Sequence, residues 1–247
     1  DTQGTPGDDC PLTLLMAVYG GNSLREVERS VQSSTIEQTL PPNQVVIVRD
    51  GPVQEPVQRY LDTLQSTMAV WFTAERPELE VPEVTIVPLD ENRGLAHALN
   101  IGLQHCDFDV VARADCDGRV AAEPVRHDHS AFTRRSAASH TTVKSKLPID
   151  VMGSAIREFT DDERQPGQIR MLPAEGRRSG EIRTHAVAGA SPKRRVPQIR
   201  CAAAGGYPED AGRFEDYLLW ERMMLNHAQF PQHAGAACAL PHQSGGV

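Results

Sequence analysis

Two carboxylates stand one residue apart in Asp115-Cys116-Asp117-Gly118, at the end of the run Val110-Val111-Ala112-Arg113-Ala114. In an extended segment alternate side chains share a face, so Asp115 and Asp117 aim at one point while Cys116 turns away. A strand end delivers such a pair to the rim of a sheet, where open α/β proteins bind ligands. Hard oxygen donors there suit a divalent cation that carries phosphates. The same spacing also serves an ordinary Asx-turn. Asp50, just past the second apolar run in Val48-Arg49-Asp50-Gly51, can accept hydrogen bonds from a ribose or base, or simply form a turn before glycine. In Asn92-Arg93-Gly94-Leu95, Gly94 admits a ligand close to the backbone beside a helix N-terminus, which favours anions; a capped helix start explains the same residues. Glu215-Asp216 is the second acidic pair. Adjacent helical side chains diverge by about 100°, so one can serve as a general base while the other holds a neighbouring group. First-turn acids drawn by the helix dipole are the plain alternative. His127, Asp128, His129 and His140 match no standard closed zinc site and read as polar loop. Trp71 and Trp220 read as packing residues.

Alternating elements must position these groups. Leu12 to Tyr19 has the length of a buried strand and is closed by Gly20-Gly21. Ser23-Leu24-Arg25-Glu26 has the form of a capping box, with Leu24, Val27 and Val31 at helical spacing. Val45 to Val48 predicts a second strand, and Val57, Tyr60, Leu61 and Leu64 a second helix. Val84 to Val87, the helix marked by Leu95, Ala98, Leu99 and Leu103, and the strand Phe108 to Ala112 complete the series. This alternation predicts an α/β fold, a mainly parallel sheet with helices on both faces. Residues 1–10 read as a loose N-terminus. Beyond residue 118 the period weakens: 119–147 and 174–200 show little of it, and Ile149 to Ile156 reads as a strand. A helix is expected from about Arg213 to His227, with Phe214, Tyr217, Leu218, Met224 and Leu225 among its apolar positions. No closing strand is expected after Phe230.

The 247 residues suffice for one sizeable core, and 39% apolar content with 19 Gly and 18 Pro points to a folded chain rich in irregular structure. A net charge of -8 speaks against nucleic acid as a partner. Five scattered cysteines without a C-x-x-C pair indicate a reducing compartment, hence a cytoplasmic protein. With no apolar run of bilayer length and no signal peptide at Asp1, the expectation is a soluble protein, compatible with peripheral membrane contact.

Several blocks fall in one order: Met16 to Gly20, Gln38-Thr39-Leu40-Pro41-Pro42, Val46 to Pro52, Glu91 to Gly102, Asp115 with Asp117, Val151 to Ser154, and Gly205-Gly206-Tyr207 leading to Phe214-Glu215-Asp216-Tyr217. This ordered set resembles the family-two glycosyltransferases, whose catalytic domain has the GT-A fold. The resemblance covers about two-thirds of the chain and is densest over 12–118. It implies one domain over 1–247, with a nucleotide-binding half at 11–118 and an acceptor or catalytic half at 119–247. It implies that Val18 and Tyr19 line a nucleotide pocket, that Asp50 binds base or ribose, and that Asn92, Gly94 and Leu95 border the same pocket. Asp115 and Asp117 correspond to the family's D-x-D, with Asp117 ahead of Asp115 as the direct ligand of Mg²⁺ or Mn²⁺. Asp216 corresponds to the catalytic base and Glu215 to its support. The implied activity is inverting transfer from a nucleotide-diphosphate sugar to a glycan, lipid-linked or small-molecule acceptor, as in cell-wall or polysaccharide biosynthesis. Departures from the family pattern concentrate in 119–148, 174–201 and 231–247, as locally shifted reading frames would leave them; Gly118-Arg119-Val120 follows the D-x-D in place of a further Asp.

Two other readings compete. A non-catalytic relative would bind nucleotide without turnover. A haloacid-dehalogenase-like phosphatase also uses D-x-D-G, but there it ends the first strand, whereas three strands precede it here. A dehydrogenase is disfavoured, because no G-x-G-x-x-G follows a strand.

Overall fold

The computed structural model describes residues 11–116, 119–120, 153–159, 169–170, 195–197, 204–226 and 232–241. The first half alternates as the sequence predicts: β1 (Leu12–Tyr19), α1 (Leu24–Ser34), β2 (Gln44–Asp50), α2 (Glu55–Glu75), β3 (Glu83–Pro88), α3 (Leu95–Leu103) and β4 (Val110–Asp115). Short strands follow at β5 (Arg119–Val120), β6 (Gly153–Phe159), β7 (Ile169–Arg170) and β8 (Arg195–Pro197). A 3-10 turn (Gly212–Phe214) runs into α4 (Glu215–Leu225), and β9 spans Gln232–Pro241.

The main sheet has the order β3-β2-β1-β4-β8. β1, β2, β3 and β4 pair in parallel, and β8 joins β4 antiparallel. Winding proceeds outward from β1 to β3 and then returns to β4 on the other side of β1. The carboxyl ends of β1 and β4 therefore form a topological switch point, where connections diverge to opposite faces and leave a crevice. Both faces are covered, so the strands read as continuous apolar runs rather than alternating ones. Leu14, Met16, Val18, Val45 and Ile47 pack with Val27 and Val31 of α1 and with α2 residues from Val57 to Phe72. Leu15, Val46, Val48 and Val111 pack with Ala98 and Leu99 of α3 and with Leu219, Trp220 and Met223 of α4. Gly102 permits close seating of α3: a Cβ there would lie 2.4 Å from Leu15 Cδ1.

The capping box forms as predicted. Ser23 Oγ accepts from Glu26 N at 3.3 Å, and Glu26 Oε2 accepts from Ser23 N at 2.8 Å. Three boundaries differ usefully. Asp50 is the last residue of β2 rather than just past it, because strand pairing extends to Tyr19↔Asp50. β4 begins later than Phe108 and runs on to Asp115, held by pairing of Ala17 with Asp115. β6 runs on to Phe159, past Ile156 where the expected strand ends; residues 149–152 of that expectation lie outside the described residues.

The expectation of no closing strand is overturned by β9, which sits between β5 and β6 in a second sheet of order β5-β9-β6-β7. Its small residues carry little intrinsic β preference, and pairing on both edges supplies what propensity does not. No helix among the described residues is long and apolar enough to cross a membrane.

Candidate active site

Charged side chains avoid burial unless partnered. Among the described residues four are buried: Asp50, Arg113, Glu215 and Asp216. Asp50 ends β2, Arg113 stands two residues before the end of β4, and Glu215-Asp216 open α4.

Arg113 is the centre of the arrangement. It shares a strand face with Val111 and Asp115, so β4 turns the guanidinium into the layer between the sheet and α4. Its Nε donates to Asp115 Oδ1 at 3.0 Å, and its Nη1 donates to Asp216 Oδ1. The Tyr207 ring covers the group, with its centroid 5.8 Å from Arg113 Cζ. Burial works to discharge Arg113, but Asp115, Asp216, Tyr207 and Glu215 outweigh it and hold the guanidinium well above its ordinary pKa. It is a permanent cation between two carboxylates.

Glu215 and Asp216 both face inward, on the same side of α4 as Leu219, Trp220 and Met223. Of the apolar positions expected to face the core, Phe214 and Leu225 are exposed, and Tyr217 and Leu218 are half-buried. The reason is the ion pair, which draws the first turn of α4 toward β4. Burial first, then the charges of Asp216 and Asp115, raise the pKa of Glu215, against the lowering influence of its backbone hydrogen bond and of Arg113.

Asp50 is committed to the chain itself. Its Oδ1 accepts from Arg93 N at 2.8 Å and its Oδ2 from Gly94 N at 3.0 Å. Gly51, at φ +77°, makes this approach feasible, since a Cβ there would lie 2.5 Å from Asn92 N. Asn92 Oδ1 also accepts from Gly94 N, at 3.2 Å. Asp50 and the 92–94 segment are thus in direct contact.

The Gly-Gly-Tyr segment is clamped from α3. Asn100 donates to Tyr207 O and accepts from Tyr207 N, each at 2.8 Å. His97 Nδ1 lies 3.0 Å from Glu209 Oε1, and this contact first, with Asn100 and Arg93 adding to it, holds the Glu209 carboxyl below its usual range. Tyr19 and Leu95 are exposed at the rim, and Asn92 stands in the same loop. Val18 is fully buried beneath α1 and α2, so only its main chain can face the crevice. Cys116 points into that same layer, donating to Ala17 O, as alternation requires. Trp220 is buried in the core on the α3 and α4 face, and Trp71 packs, partly buried, against the core on the α1 and α2 face.

Asp117, Gly118, His127, Asp128, His129 and His140 lie outside the described residues. Among the described residues no group of three or more His, Cys, Asp or Glu side chains could hold a metal. Sequence reasoning missed Arg113. Its signal was a lone cation within a strand of small and apolar residues, two positions before Asp115.

A sequence model described as glycosyl transferase family 2 matches residues 15–138. The chain belongs to that family. It is similar to the amylovoran biosynthesis glycosyltransferase AmsE of Erwinia amylovora, with 28% identity over 220 residues that cover 87% of this chain and 70% of the relative. It is equally similar, at 28%, to the UDP-Gal:α-D-GlcNAc-diphosphoundecaprenol β-1,3-galactosyltransferase of Escherichia coli, covering 89% of this chain and 70% of that enzyme. The fold is that of Staphylococcus aureus TarS, with a TM-score of 0.65 at 14% identity, covering 94% of this chain but only 37% of TarS. The Pyrobaculum calidifontis mannosyltransferase PcManGT, solved with GDP-Man and Mn²⁺, gives a TM-score of 0.57 at 16% identity, covering 97% of this chain and 59% of that one. The enzyme class expected from the sequence, a glycosyltransferase, is the class of the family and of these relatives. Membership removes the phosphatase alternative; consistently, Asp115 ends the fourth strand of its sheet rather than the first.

Proposed function

We propose that this family-2 chain transfers a sugar from a nucleoside-diphosphate donor to an acceptor hydroxyl, with inversion and with help from a divalent cation. The observation that carries the reading is the bridge Asp115–Arg113–Asp216, buried at Arg113 and Asp216, beside the switch point of the sheet. It sets a carboxylate suited to a phosphate-bound cation next to one suited to taking a proton.

In this reading the donor's nucleoside lies along the rim bordered by Tyr19, Asp50, Asn92, Gly94 and Leu95, with its diphosphate toward Asp115. Asp50 acts by shaping the 93–94 backbone as well as by any contact of its own. The donor set fits a hard cation. Asp115 meets Arg113 through Oδ1, and Mg²⁺-type sites need only one or two carboxylates besides substrate phosphates. Asp115 and Asp117 would hold Mg²⁺ or Mn²⁺, which neutralises negative charge building on the leaving diphosphate. The acceptor oxygen attacks the anomeric carbon as the bond from that carbon to the phosphate oxygen breaks. The nucleoside diphosphate leaves with the electron pair, and Asp216 takes the acceptor's proton. Glu215 supports Asp216 from the adjacent position on α4.

The names of relatives favour particular partners. UDP-Gal and a diphosphoundecaprenol acceptor belong to the E. coli relative, and UDP-GlcNAc is bound in a solved complex of TarS. We therefore place a UDP-sugar first among donors and a lipid-linked glycan first among acceptors, met at the cytoplasmic face of a membrane. The test is a thermal-shift screen of nucleoside diphosphates with and without Mn²⁺. Saturation at about 100 times Kd stabilises by ~2.7 kcal/mol, which for a chain of this size is roughly 5–10 °C in Tm. Absence of any shift in either condition sinks the reading. A Mn²⁺-dependent UDP shift without transfer would instead identify a non-catalytic relative.

A further inference from the structure

The mechanism just given uses two carboxylates from distant parts of the chain and leaves unexplained what fixes their separation. Arg113 touches both, through Nε to Asp115 and through Nη1 to Asp216. We propose that Arg113 is a positioning residue for the transfer: it sets the direction of the Asp216 carboxylate relative to the donor-diphosphate end marked by Asp115. The inference rests on the functional reading above and goes beyond it by assigning a role that neither acidic motif carries alone.

The geometry supports a fixed bridge rather than an incidental ion pair. Nε and Nη1 are separate donors of one rigid planar fork, so the two carboxylates are held at a set distance and angle. Lysine has a single nitrogen on a flexible stem and cannot reproduce that span. The plane of the fork is bounded by Tyr207, itself buried. Tyr207 is fixed in turn by Asn100, which bonds both its N–H and its carbonyl. Gly206 allows this, since a Cβ there would lie 2.6 Å from Asn100 Oδ1. A continuous chain of contacts therefore runs from α3 through Tyr207 and Arg113 to the base on α4. By holding one oxygen of Asp216, Arg113 orients the whole carboxylate.

Arg113→Lys tests this, because it keeps the buried positive charge and removes the fork. A misplacement of about 1 Å costs on the order of 100-fold in rate, so kcat should fall roughly 100-fold in the lysine variant. The discriminating measurement is the cycle with Asp216→Asn. If Arg113 acts through Asp216, the double variant loses no more than Asp216→Asn alone, within about threefold, the scatter expected of small couplings. Losses that multiply, or a lysine variant with unimpaired kcat, overturn the proposal while leaving the transferase reading intact. An unsubstituted chain that neither binds UDP with Mn²⁺ nor transfers sugar overturns both. Should the lysine variant not fold, NMR of arginine side-chain N–H groups decides. The most exchange-protected guanidinium signals of the unsubstituted chain should move on Asp216→Asn, and unchanged signals refute the bridge.

Discussion

Replacing Asp50 with asparagine separates the scaffold role seen in its bonds to the 93–94 backbone from the nucleotide contact proposed for it. The aspartate accepts two main-chain N–H groups, one on each oxygen, from a position that is 3% exposed. Asparagine can satisfy only one of them, and its NH₂ then faces the other donor. The better arrangement keeps the carbonyl on Arg93 N, because Gly94 N retains Asn92 Oδ1 at 3.2 Å as a second acceptor. That residual partner sets the cost near the low end for losing a hydrogen bond to a charged group, about 2 kcal/mol. In a chain of this length 1 kcal/mol moves Tm by about 2–4 °C, so Asp50→Asn should lower Tm by roughly 4–8 °C without nucleotide. Adding Asn92→Ala removes the fallback acceptor and should deepen the loss by about 1 kcal/mol. Differential scanning calorimetry of the three proteins measures this directly. An unchanged Tm in Asp50→Asn, with weakened nucleotide binding, would refute the scaffold argument and leave a pure ligand contact.

Asn100→Ala deletes both bonds to the Tyr207 main chain, so stability should fall by about 1–3 kcal/mol; chemical denaturation checks it, and a loss below the detection limit would mean that the clamp is not formed in solution. Glu215 supplies a pH dependence whose sign follows from its raised pKa, caused chiefly by burial. Between the unfolded carboxyl value, about 4.3, and the higher folded value the native state binds more protons, so this residue makes stability fall as pH rises through that window. Glu215→Gln should flatten that part of a Tm-against-pH curve, and superimposable curves for the two proteins would contradict the burial.

Much of the frame was legible because it depends on local, periodic signals. The β1 run, the Ser23/Glu26 box and the apolar periods of α2 and α3 each declare themselves within a dozen residues, and all appear in place. Strand ends were less legible. Asp50 and Asp115 belong to their strands because neighbouring strands pair that far, which no local pattern records. β9 was invisible for a stronger form of the same reason: its Gly and Ala residues acquire strand geometry only from β5 and β6.

The same logic explains why the acids were found while their partner and their helix face were not. A helix read by its apolar residues is rotated to bury them, and here that procedure selects Phe214, Tyr217, Leu218 and Leu225, of which Phe214 and Leu225 are exposed and Tyr217 and Leu218 only half-buried. The inward positions of its first turn are carboxylates, tolerated there because Arg113 arrives from β4 to meet Asp216. Arg113 in turn is tolerated inside the sheet layer because Asp115 and Asp216 flank it. Removing either side would strand buried charge at a cost of about 3–5 kcal/mol, so neither element makes sense read alone. Each half looks like an error of patterning, an arginine in an apolar strand and two acids on a core-facing turn, until the two are put together. Such paired violations of the hydrophobic pattern are where a fold gives up stability for chemistry. In the proposed mechanism they mark the place where acceptor, donor phosphate and base meet.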